Sequence, residues 1–251
     1  MTEQAARSGG SLAIVARSAT PLQSVADSLT RQGANVTAIP ADVTSEEDRR
    51  RILATAVERL GGLDVLINNA GVGSFGHFSS SSEEVLRQVM EVNFFAPAEL
   101  IRLAIPVLAR GQQPAIVNIA SMCGRRGLPA WSEYSASKFA LCALTEALRG
   151  EMVRFHIDVL LILPGLTHTA MGSHLLRNAG RMKIDFTDGM SPDVVAGKVL
   201  HALASNRTET VVGREARWLL WLNRLLPRLM DRLLARKVRK LYADCRLQIA
   251  E

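Results

Sequence analysis

Residues 115–138 read AIVNIASMCGRRGLPAWSEYSASK. The opening run, Ala115 to Ile119, is short and mostly apolar, which suits a buried parallel strand. A helix then starts near Ser132 and runs to Leu148. Tyr134 and Lys138 stand four residues apart on it, so their side chains share one face, a turn apart. An ammonium beside a phenol favours the phenolate, so Lys138 is expected to lower the tyrosine pKa towards working pH. Ser121, at the end of the strand, supplies a hydroxyl able to polarise a carbonyl. Surface helices contain Tyr-x-x-x-Lys pairs by accident, so the flanking chain decides what this pair means.

On either side, strand and helix alternate. Towards the N-terminus, residues 2–8 read as helical turns closed by Gly9-Gly10, and Leu12 to Ala16 as a strand. A helix runs from Pro21 to Arg31, a strand from Asn35 to Ile39, and a helix from Ser45 to Leu60, stopped by Gly61-Gly62. Asp64 to Ile67 is a strand leading into Asn68-Asn69-Ala70-Gly71. A Gly/Ser-rich loop over 72–82 precedes a helix near 83–91, and a longer helix holds Asn93, Pro97 and Leu100 to Ala109. Beyond the quoted stretch come a strand at Asp158–Leu163, a loop-rich insert over 166–190, a helix from Ser191 to Ala204 and a short strand at Glu209–Val212. Such alternation specifies an α/β fold, a doubly wound parallel sheet covered by helices on both faces.

A chain of 251 residues holds one large domain of this kind. Cys123, Cys142 and Cys245 fit neither a disulfide framework nor a zinc pattern, which places the protein in a reducing compartment. The five histidines are scattered, so no metal site is expected. Residues 1–11 lack the apolar core of a secretory signal, and no apolar run reaches the roughly 18 residues of a spanning helix. A cytoplasmic location is expected, with no nucleic-acid partner. The formal charge of +6 is concentrated between Arg214 and Lys240, where nine basic residues face Glu215 and Asp231. The remainder is close to neutral.

With these pieces placed, the chain resembles the short-chain dehydrogenase/reductase family, from about Leu12 to Ala204. The resemblance rests on Asp42-Val43, Asn68-Asn69-Ala70-Gly71, Asn93, Ser121, Tyr134-x-x-x-Lys138 and Pro164-Gly165-x-x-x-Thr169, in the family's order and at the predicted strand ends. It implies a Rossmann-like domain over 1–212 that interconverts a carbonyl and a secondary alcohol by hydride transfer from a nicotinamide cofactor. Tyr134 would then be the general acid/base, with Lys138 holding the nicotinamide ribose. Ser121 would bond the carbonyl oxygen, and Asn93 would anchor a water connecting Lys138 to solvent. Asp42 and Val43 would flank the adenine, and Asn69, Ala70 and Gly71 would line the adenosine side. Pro164, Gly165 and Thr169 would contact the carboxamide. Arg17, after the first strand, suits a 2′-phosphate, so NADP is expected over NAD. The resemblance also implies a homo-oligomer. His168 and His174 are read as surface residues and Cys123 as a structural thiol.

The family opens with a strand and a Thr-Gly-x-x-x-Gly-x-Gly turn. This sequence has neither. The first strand of a doubly wound sheet is central, so its absence is expected to leave two neighbouring strands with unpaired backbone groups and a slot in the core, together with loss of the pyrophosphate's helix N-terminus. Three readings stay open: a start upstream of Met1, a decayed or truncated copy acting through interaction, and a variant that closes the gap. The intact Ser121–Lys138 stretch favours the first.

Residues 213–251 form a basic helical extension, split at Pro227, with Leu222, Leu225, Leu226, Leu229 and Leu233 at helical spacing. Two readings weigh evenly. One is peripheral membrane contact through 214–240, near the entry of a lipophilic substrate. The other is a helical lid or oligomer contact with solvated arginines.

Overall fold

The computed structural model describes residues 1–180 and 187–241. Helix α1 (Thr2–Arg7) turns at Gly9 into strand β1 (Leu12–Ala16). Then come α2 (Ala19–Arg31), β2 (Val36–Pro40), α3 (Glu46–Leu60), β3 (Val65–Asn68) and the two-residue β4 (Ser74–Phe75). Helix α4 (Glu83–Met90) passes through a π-helical turn, Glu91–Phe95, into α5 (Ala96–Leu108). Strand β5 (Ala115–Ile119), α6 (Ser132–Met152), β6 (Asp158–Pro164), β7 (Arg177–Asn178), α7 (Pro192–Ala204) and β8 (Glu209–Val212) follow. The described chain closes on α8 (Arg214–Leu225) and α9 (Pro227–Leu241). Residues 181–186 of the 166–190 insert and 242–251 of the C-terminal extension, with Cys245, lie outside the described residues.

Local chemistry sets these boundaries. Ser45 caps α3 by accepting the Asp48 N–H, three acids fill its first turn, and Gly61 ends it at φ 81°. Ser191 and Pro192 open α7, and Pro227 opens α9, as expected. Helix α2 begins two residues before Pro21, because a proline in the first turn costs no internal hydrogen bond. The small parallel pair β4–β7, which ties the 72–82 loop to the insert, is additional to the expected elements.

Strands β3, β5, β6 and β8 form one parallel sheet in that order, while β1 and β2 pair separately. The expected slot is therefore present. Among the described residues no strand lies along the free edges of β1 and β3, and the two do not pair across the gap. The four-stranded sheet carries the core. Ile116 and Val159 face Ile101, Ala104 and Leu108 of α5 and Leu148 of α6. Their alternates Val117, Leu160 and Ile162 face Val195 and Val199 of α7. This period of two, apolar on both faces, is the signature of a strand buried on both sides.

Candidate active site

Strand β5 ends at Ile119, and Ser121 then caps a 3-10 turn, Met122–Gly124, its Oγ accepting the Cys123 N–H at 3.1 Å. Helix α6 passes alongside, carrying Tyr134 and Lys138, both buried. The Tyr134 phenol lies beside the Ser121 side chain, which acts to favour its charged form. Lys138 Nζ donates to the Ile119 carbonyl at 3.0 Å and lies 5.9 Å from the centroid of the Tyr134 ring. Ser121, Tyr134 and Lys138 are thus brought together, as the sequence predicted.

The electrostatics differ from expectation. Burial pushes the Tyr134 phenol well above its ordinary range, the Cys123 sulfur adds to that, and only the Ser121 side chain acts downward. Burial also lowers Lys138, to about 8. The predicted lowering of the tyrosine by its lysine is therefore corrected: enclosure favours the neutral form of both groups and outweighs their mutual attraction. In this state Tyr134 is a proton donor. Burial likewise pushes the Cys123 thiol up, in keeping with a structural role.

Asn93 sits in the π-helical turn and is fully buried. Its Oδ1 accepts the Val72 N–H at 2.9 Å, and its Nδ2 donates to the Val72 carbonyl and to Ser137 Oγ, each at 2.9 Å. Both N–H groups are used within the protein, so the side chain staples the loop after β3 to α6. The π turn supplies the extra residue that aims Asn93 inward. Ser137 donates in turn to the Tyr134 carbonyl at 2.8 Å. The sequence reading passed over Ser137 although it lies between Tyr134 and Lys138. It also passed over Asn118, whose only signal is a polar residue within an apolar strand. Asn118 accepts from Asn68 at 2.8 Å and donates to Thr145 at 3.0 Å, joining β3, β5 and α6 below the site.

The remaining expected residues stand at or just beyond strand ends. Arg17 is exposed after β1. The Asp42 carboxylate accepts from the backbone N–H and the hydroxyl of Thr44, and Val43 packs against Ile39, Ala41 and Ile52. Asn69 and Ala70 are exposed after β3, while Gly71 lies against Asn93 and Lys138. Pro164 closes β6, and the Gly165 N–H bonds the Val212 carbonyl at 2.9 Å. Thr169 is exposed, as are His168 and His174. Over Tyr134 the walls are apolar: Phe75, Cys123 and Trp131 are buried, with Met171 and Leu175 packed against them. The Trp131 ring meets Tyr134 edge-on at 5.4 Å.

The family profile described as short chain dehydrogenase matches residues 1–180. An uncharacterized oxidoreductase, YxnA, of Bacillus subtilis is 32% identical over 234 residues, 92% of this chain and 66% of that protein. The bovine dehydrogenase/reductase SDR family member 7B is 34% identical over 243 residues, 92% of this chain and 75% of that protein. The chain therefore spans just under two thirds of the first relative and three quarters of the second. Among solved structures, a short-chain dehydrogenase/reductase from Burkholderia phymatum in complex with NAD shares the fold with TM-score 0.82 at 24% identity, covering 91% of this chain and 89% of that one. A short-chain dehydrogenase from Sphingobium yanoikuyae in complex with NADPH gives TM-score 0.74 at 28% identity, covering 100% and 92%.

Proposed function

The chain belongs to the short-chain dehydrogenase/reductase family of oxidoreductases, and from that premise we propose that it reduces a lipophilic carbonyl compound to a secondary alcohol with NADPH. The observation that carries the reading is one buried cluster in which Ser121, Tyr134 and Lys138 stand together at the end of β5.

The fit of a nicotinamide dinucleotide is uneven. A side chain at position 71 would come within 3.2 Å of Asn93 Oδ1 and 3.5 Å of Lys138 Nζ, so the bare Gly71 backbone leaves room for a ribose beside the lysine. That end fits, with Lys138 as the ribose donor and Pro164, Gly165 and Thr169 at the neighbouring strand end. At the pyrophosphate end the described residues offer no glycine turn opening a helix between β1 and β3. Arg17, exposed after β1, would favour a 2′-phosphate over a bare ribose. When bound, the nicotinamide supplies the hydride.

The chain's own residues supply the proton and the orientation. Tyr134, kept protonated by burial, donates to the substrate oxygen as that atom gains charge. Ser121 donates a second hydrogen bond to the same oxygen. Lys138 would hold the ribose and lies beneath the phenol, while Asn93 and Ser137 fix the α6 turn on which both stand. Phe75, Trp131 and Leu175 exclude water and suit an apolar substituent on the substrate. We place the enzyme in a reducing compartment on the strength of its free cysteines, and its α6 face in a homo-oligomer contact by analogy with the family.

The test is oxidation of NADPH at high cofactor concentration by a panel of apolar ketones and aldehydes. Tyr134→Phe keeps the ring and removes the proton, and should lower kcat/KM by roughly 10²–10⁴; an unchanged rate refutes the assignment. The open edges of β1 and β3 favour a second reading, a catalytically silent member acting through interaction. No turnover with any carbonyl, despite demonstrated NADPH binding, would select it.

A further inference from the structure

Helices α8 and α9 each use one face against the body and leave another bare. On α8, Ala216 is buried, whereas Trp218, Trp221 and Leu225 share the opposite face and are 67%, 54% and 55% exposed. On α9, Met230 is buried, while Leu229 and Leu233 are 41% and 43% exposed. The inner faces are pinned by the loop after Ser121: Arg126 donates to Asn223 at 3.0 Å and pairs with Asp231 at 2.5 Å. The exposed stripe is thus additional to the packing that holds the arm.

Charge narrows what can cover it. Nine basic residues between Arg214 and Lys240 face two acids, and one of those, Asp231, is paired with Arg126. Arg224, Arg228 and Arg232 are exposed beside the leucines. A second copy would bring one cationic arm against another. A nucleic acid would meet the arginines and leave two indoles and three leucines without a role. Exposed indoles next to leucines, flanked by arginines, match the boundary between lipid headgroups and acyl chains. At 12 and 15 residues, the helices are too short to cross a bilayer and long enough to lie on one.

We propose that α8 and α9 form a monotopic docking surface for an anionic lipid bilayer. Trp218, Trp221, Leu225, Leu229 and Leu233 enter the interface, and Arg224, Arg228 and Arg232 meet lipid phosphates. Because Arg126 lies five residues after Ser121 and clamps the arm, docking holds the catalytic loop next to the surface from which an apolar substrate would come. The lipid contact itself is independent of the reaction.

Flotation of the full chain with vesicles tests this. Recovery with vesicles of equal parts phosphatidylcholine and phosphatidylserine is expected, with little on phosphatidylcholine alone and release as salt rises. The triple change Arg224→Gln, Arg228→Gln, Arg232→Gln should weaken binding roughly a hundredfold. Trp218→Ala with Trp221→Ala should abolish flotation without changing the circular dichroism of the chain. In the unaltered protein, tryptophan emission should shift to the blue on anionic vesicles, since Trp131 is already buried. No flotation on anionic vesicles overturns the proposal. So does equal binding to both vesicle types, and so does arm-dependent self-association or capture of an acidic protein without lipid binding.

Discussion

The two strand groups of this molecule are built to different standards. Every residue of β5 is buried, and β6 is buried from Val159 onward, clamped between α5 and α6 on one face and α7 on the other. In β1 four of five residues are only half-buried and the fifth is exposed, and the cluster beneath β1 and β2 holds just Ile39, Ala41 and Ile52 as buried members. The proton-handling residues hang from the first group, while Arg17, Asp42 and Val43, expected at the adenosine end, hang from the second, and Asn69 to Gly71 follow β3 at the open edge between them. A site that moves protons needs fixed distances and a dry wall, and β5, β6 and α6 provide both. The nucleotide side has an open edge on each side of the slot.

If that contrast is right, core truncations should cost unequally. Leu161→Ala, at a fully buried position of β6, should lose about 2–5 kcal/mol in urea unfolding, whereas Val15→Ala in half-buried β1 should lose about 1 kcal/mol. Equal losses would remove the distinction. In hydrogen exchange, the amides of Ala13 to Val15 should exchange well before those of Ile116 to Ile119.

Ser121→Ala removes the downward influence on the Tyr134 phenol and a donor to the substrate oxygen. It should reduce kcat by about 10²–10³ with little change in unfolding midpoint. On the other half, Arg17→Ala should cut the preference for NADPH over NADH by about tenfold, the worth of one charged hydrogen bond, while leaving kcat unchanged. A large kcat effect at Arg17, or none at Ser121, would invert the assignment of roles.

A subtler difference concerns pH. Lys138 is held at about 8 against an ordinary 10.5, so between those values the folded chain binds fewer protons than the unfolded one. Its contribution to stability therefore rises with pH through that window, and below it the cost of burying the ammonium is present in full. Tyr134, raised, acts in the opposite sense only above its ordinary value near 10. Lys138→Met should consequently flatten the gain in unfolding free energy from about pH 7 to about pH 9.5, a gain that should persist in Arg17→Ala.

The sheet, the helix caps and the Ser121–Tyr134–Lys138 cluster were legible because each depends on local rules. Strand runs carry a period, Ser45 and Ser191 announce helix starts, and a four-residue spacing fixes a face. The slot beside β1 was legible too, since a parallel sheet with no glycine turn has an unfilled place. What escaped was set by three-dimensional enclosure. The upward push on Tyr134 comes from Phe75, Trp131 and the insert closing over it, contacts distant in sequence. The Asn93 staple depends on a π turn, which no periodicity reveals, and Ser137 gained a role only when that turn met α6. Arg126 read as one basic residue among many until α8 and α9 folded back onto it.

The contrast between an assembled proton site and an open nucleotide side is tested most directly by titrating NADPH into the 251-residue chain by calorimetry. Binding should be saturable but well weaker than micromolar, because no helix N-terminus among the described residues holds the pyrophosphate, and Lys138→Met should abolish it. A submicromolar dissociation constant that Lys138→Met leaves unchanged would contradict the account.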